Sequence, residues 1–164
     1  MARFWLPVIA AVHCLSALPS AAGDQLDVRD AMLVVETLLA RQDIDISGYA
    51  RSEPPPVERV PSSHEYLQGN DGGYVEGRIY LNDEVMADCL HLTLVHELVH
   101  DATMKHRLFA GVPNSRIREV LEAVADFVTA EAAQDPYLPG CLPKRRISVA
   151  AAELASLAAP ALRR

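Results

Sequence analysis

From Leu90 to Ala102 the chain reads Leu-His-Leu-Thr-Leu-Val-His-Glu-Leu-Val-His-Asp-Ala. A stretch this apolar on nearly every side belongs inside a protein, and it reads as a helix that is mostly buried. Three groups in it cannot be buried without partners. His96 and His100 stand four residues apart, so on a helix they differ by about 40° and one turn of rise. Both imidazoles can therefore reach one point. Glu97 approaches the same face from the side. Buried polar groups need partners, and a metal ion with a water supplies them for all three, with the imidazoles on the metal and Glu97 on the water. His91 falls on the opposite side of the helix from His96 and reads as an ordinary polar position.

The rest of the chain supports one compact domain around that helix. With 164 residues it can bury a sizeable core, and 50% hydrophobic against 23% charged residues excludes global disorder. Fifteen Lys plus Arg against 22 Asp plus Glu leaves a formal charge of -7, so the chain lacks the basic surface that nucleic-acid binding needs. The first 22 residues read as an export signal. Arg3 precedes the apolar stretch Phe4 to Leu18, and Ser20-Ala21-Ala22 offers small residues for cleavage after Ala22. The expected mature domain is residues 23–164, periplasmic or secreted, with no stable membrane anchor once the signal is cleaved. No other apolar run is long enough to span a bilayer. Removal of Cys14 with the signal leaves Cys89 and Cys141, and two cysteines in an exported chain imply a single disulfide between them.

Along the mature chain, Val28, Ala31, Met32, Val35, Leu38 and Leu39 form a helical stripe over residues 27–41. Pro54-Pro55-Pro56 forces an extended path, and Gly69 to Gly73 reads as a turn cluster. Val57 to Val60, His64 to Leu67 and Tyr74 to Leu81 are candidate strands. Asn82-Asp83-Glu84 offers a cap for a long helix over about 83–108, which Gly111-Val112-Pro113 ends. Asn114 or Ser115 caps a further helix over about 116–134. A Pro-rich connector leads to an Ala-rich last helix over 147–159. The fold class expected is α+β, a small sheet packed on the long helix.

A catalytic zinc site takes three protein ligands and keeps a position open for water, so a third ligand is required. His106 lies six residues after His100, the spacing of the metzincin motif His-Glu-x-x-His-x-x-Gly-x-x-His, with Thr103 where that motif has glycine. If the helix continues through Thr103, His106 points about 120° away from His100. The alternative is the segment Arg118-Glu-Val-Leu-Glu-Ala-Val-Ala-Asp-Phe-Val128. Together with the His-Glu-x-x-His helix, it resembles the gluzincins, the thermolysin-like metallopeptidases, over residues 74–134. The resemblance implies a minimal zincin-like domain holding one zinc ion. It implies His96, His100 and Glu122 as ligands, Glu97 as general base, and Asp126 holding the first motif histidine. Glu119 competes for the ligand role but has Ala123, not an acid, four residues later.

The function implied is an exported zinc-dependent peptidase acting on a peptide or protein. Such a reaction needs a group to hold the developing oxyanion, and Tyr80, His106 and Tyr137 are the candidates. The other reading is a non-catalytic exported zinc-binding or interaction module on the same scaffold. An intact Glu97 argues against it, since a scaffold needs no base. The strand running into the long helix is expected to be the edge strand along which substrate lies.

Overall fold

Asp27 accepts hydrogen bonds from the backbone amides of Arg29 and Asp30, and from that cap helix α1 runs over Val28–Ala40. Its stripe of Ala31, Met32, Val35, Leu38 and Leu39 is buried, as the periodicity requires. A short 3-10 turn, Tyr49–Arg51, and strand β1, Val57–Val60, follow. Strands β2, Gly72–Val75, and β3, Arg78–Asn82, complete a three-stranded sheet in the order β1-β3-β2. Helix α2 spans Ala87–His106 and helix α3 spans Asn114–Ala133. This is a mixed α+β arrangement. The structure is a computed structural model and describes residues 27–133. The expected signal at 1–22, the last helix at 147–159, Tyr137 and Cys141 lie outside those residues.

The sheet topology follows from how the chain leaves β1. β1 and β3 are parallel, with Val57 opposite Ile79, and β2 and β3 are antiparallel, with Tyr74 opposite Ile79. The chain therefore crosses from β1 to the far edge before returning through the centre. Tyr66 and His64, on that crossing, stack on Tyr80 of β3 at centroid distances of 4.9 and 5.3 Å. Ile79 and Leu81, on the other face of β3, are fully buried with α2 and α1 in the core. α2 packs against α1, α3, β2 and β3. Its Leu90, Leu94, Val95, Leu98, Val99 and Ala102 are all buried. Each such larger side chain contributes about 1.5–3 kcal/mol on burial, which is why this helix is apolar nearly all round. Among the described residues no helix is long and apolar enough to cross a membrane.

Several local expectations are corrected. The single strand over Tyr74–Leu81 is a hairpin, because Glu76 and Gly77 both take positive φ (51° and 82°), the backbone of a two-residue turn between twisted strands. Gly72 and Gly73 belong to β2 rather than to the preceding turn. His64–Leu67 is no strand: the His64 amide donates to Pro61 and the Leu67 amide to His64, which are turn bonds. The long helix begins at Ala87, not at 83, since Asn82 extends β3 opposite Val60 and its amide bonds to Asp71. β3 is the central strand, so the free edge next to α2 is β2.

Candidate metal centre

The spacing of polar residues on α2 makes one stripe. Thr93, His96, Glu97, His100 and Met104 recur every three or four residues and all face an open cleft of roughly 1080 Å³. α3 presents Arg118, Glu122 and Asp126 at four-residue spacing to the same cleft. The opposite wall is β2 and the residues before it, including Asp71, Gly72 and Tyr74. Ile117 and Leu121 of α3 add an apolar flank beside Met104.

Where the two helical stripes face each other, three side chains converge. The Nε2 atoms of His96 and His100 lie 3.3 Å apart. Glu122 Oε2 is 3.5 Å from His96 Nε2, and Glu122 Oε1 is 3.8 Å from His100 Nε2. Two imidazoles and a carboxylate are donors of the kind that zinc takes, and one ligand atom from each lies within 4.8 Å of the other two. The three residues form a group that could hold a metal ion. The second ring nitrogen of His96, Nδ1, lies 3.6 Å from Asp126 Oδ1. Zinc-bound histidines commonly turn their free nitrogen to such a carboxylate.

Burial and charge set the protonation of these groups in opposite ways. Glu97 is 5% exposed. Its burial, with Glu122 nearby, outweighs the attraction of His96 and pushes its pKa up to about 7. His100 is pushed down to about 4 by burial and by His96, against the pull of Glu122. Burial opposes the charged form of His96 too. There the contact with Glu122, then the charges of Glu97, Glu122 and Asp126, win, and its pKa is raised. Glu122 is held below the usual carboxylate range, chiefly by its bond to His96.

The space for Glu97 is created by a glycine. A Cβ on Gly72 would stand 2.8 Å from Glu97 Oε1 and 2.7 Å from the Thr93 methyl, so β2 approaches the helix closely only because residue 72 has no side chain. Beneath the cleft, Asp101 is fully buried. It accepts from Tyr49 at 2.9 Å and Tyr74 at 3.2 Å, and Lys105 Nζ lies 2.9 Å from it.

His96, Glu97, His100, Glu122 and Asp126 are thus brought together, and two other expected site residues are not. His106 ends α2 and meets the Tyr49 ring edge-on at 6.2 Å. The helix does continue through Thr103, whose hydroxyl bonds to the carbonyl of His100, and this turns His106 away. Tyr80 lies under His64 and Tyr66 on the far face of the sheet. Neither lines the cleft. Sequence reading missed Gly72 and the group of Asp101, Tyr49 and Tyr74. The signal for Asp101 was present: an acid one residue past His100, inside an apolar run, needs buried donors. Compared with protein-family models, with curated proteins and with solved structures, the chain finds no match in any of the three.

Proposed function

We propose that this chain is a small exported zinc-dependent peptidase with a zincin-like fold. The observation that carries the reading is the conjunction at one open cleft: three metal-fitting donors, with a buried glutamate beside them whose pKa is about 7. A general base works best when its pKa lies near the working pH, and burial, the largest cause of the shift, brings Glu97 there.

In this reading His96, His100 and Glu122 hold one zinc ion. When bound, zinc supplies Lewis acidity that polarises a carbonyl and lowers the pKa of water to about 7. Glu97 takes the water's proton and returns it to the leaving amine. Asp126 orients the His96 ring through Nδ1, which favours the neutral ligating tautomer. The free edge of β2 offers backbone donors and acceptors to an extended peptide, and Gly72 keeps that edge close to Glu97. The gluzincin resemblance, the apolar leader at residues 1–22 and the expected Cys89–Cys141 disulfide supply the rest of the proposal.

The test is Glu97→Gln. The variant keeps the size of the side chain and removes the base. Zinc content should stay near normal while hydrolysis of an unselective substrate such as casein falls by roughly 10³-fold or more. A variant that hydrolyses as fast as the wild type would overturn the peptidase reading. A wild type that binds zinc without hydrolysing would favour the non-catalytic module.

A further inference from the structure

β2 is paired on one side only, by β3. In an antiparallel pair, alternate residues turn their N–H and C=O toward the partner. The amide of Asn82 donates to the carbonyl of Asp71 at 2.9 Å, so Asp71, Gly73 and Val75 face β3. Gly72 and Tyr74 therefore point their backbone groups outward, along the cleft. Among the described residues, no backbone hydrogen bond outside the sheet ladders involves either of them. β2 has little of its own to hold this edge in place. Two of its four residues are glycines, which contribute no side-chain contact and the least conformational restraint.

Tyr74 has the side chain that ties the strand to the metal-bearing helix. Its hydroxyl reaches Asp101 Oδ1 at 3.2 Å. Asp101 directly follows His100, is fully buried, and is held on its other oxygen by Lys105 Nζ at 2.9 Å as well as by the Tyr49 hydroxyl at 2.9 Å. The same Tyr49 oxygen lies 3.0 Å from the Leu98 carbonyl, so its one proton is shared between the two acceptors. We propose that Tyr74 and Asp101 form a strut that sets the spacing between the outward-facing edge of β2 and the His96–His100 pair, so that both are positioning residues for an extended peptide at that edge. The inference rests on the peptidase reading and adds to it the residues that align the substrate.

The experiment compares two zinc-directed probes on the zinc-loaded full chain, by calorimetry. Acetohydroxamate reaches only the metal, whereas a hydroxamate-capped tetra-alanine also reaches β2. The wild type should bind the peptide probe more tightly. Tyr74→Phe should reduce that advantage about tenfold, the scale of one lost positioning contact. Its affinities for zinc and for acetohydroxamate should stay within about twofold. Tyr49→Phe takes a hydroxyl from the same carboxylate without touching β2. It should lower the melting temperature and leave the peptide's advantage intact. Equal loss in both variants, or loss in neither, would overturn the strut. A wild type that binds zinc and acetohydroxamate but gains nothing from the peptide would also overturn it, with the metal centre left standing. A wild type that binds no zinc would defeat the peptidase reading itself.

Discussion

A carboxyl group that is 5% exposed ionises at a cost, and Glu97 shows that cost as a pKa of about 7. The consequence for stability has a definite sign. In the metal-free protein the folded pKa is above the unfolded value of 4.5, so this group's favourable contribution is complete below 4.5 and is lost as pH rises through 7. The full loss is roughly 3 kcal/mol. His100, depressed to about 4, runs the other way, losing its contribution as pH falls from 6.5 through 4. Glu97→Gln removes the first effect, and with it the Glu97 charge that helps raise His96. Thermal melts of the metal-free proteins should show the variant gaining on the wild type between pH 5 and pH 8. A gap that does not change with pH would contradict the assigned burial. The pairing of His96 with His100 was legible because it needs only helical geometry, whereas the choice of Glu122 and Asp126 came from the gluzincin resemblance. The need of Asp101 for buried donors was marked by its place in an apolar run, but its partner Tyr49 was not, because it lies 52 residues away.

At the scale of elements, local signals lost wherever a tertiary ladder competed with them. Asn82-Asp83-Glu84 has the chemistry of a helix cap, and the Asn82 side chain does accept from the Glu84 amide. Yet Asn82 is held in β3 by its pairing, so α2 starts later, at a residue with no capping side chain. Met86 occupies the N-cap, 69% exposed, with extended backbone and no side-chain cap bond. Met86→Ser places a hydroxyl where it can accept from the first-turn amides. It should stabilise the protein by ~1 kcal/mol, read as a higher urea midpoint at unchanged slope. No change in midpoint would mean that this end of the helix is already satisfied. The hairpin was hidden for a different reason. Tyr74 to Leu81 keeps a strand-like composition straight through Glu76-Gly77, so only the X-Gly dipeptide marks the turn. By contrast, the apolar stripe of α1 was readable over nearly the whole helix, as residues 27–41 against the observed Val28–Ala40.

At the scale of the whole molecule, among the described residues α2 packs against α1, α3, β2 and β3, and the cleft is where α3 and β2 flank it. α1 and the inner face of the sheet bury its apolar sides, leaving one polar stripe open. A metal held between His96 and His100 on α2 and Glu122 on α3 would clamp two helices that pack side by side. Ligand binding confined to the folded state stabilises it by mass action. Calorimetric titration of zinc into the metal-free chain, run beside Glu122→Ala, Asp126→Ala and His106→Ala, tests this account most directly. One zinc should bind per chain, with binding abolished by Glu122→Ala, weakened roughly 10- to 100-fold by Asp126→Ala, and unchanged by His106→Ala. A loss confined to His106→Ala, with Glu122→Ala binding zinc normally, would contradict it.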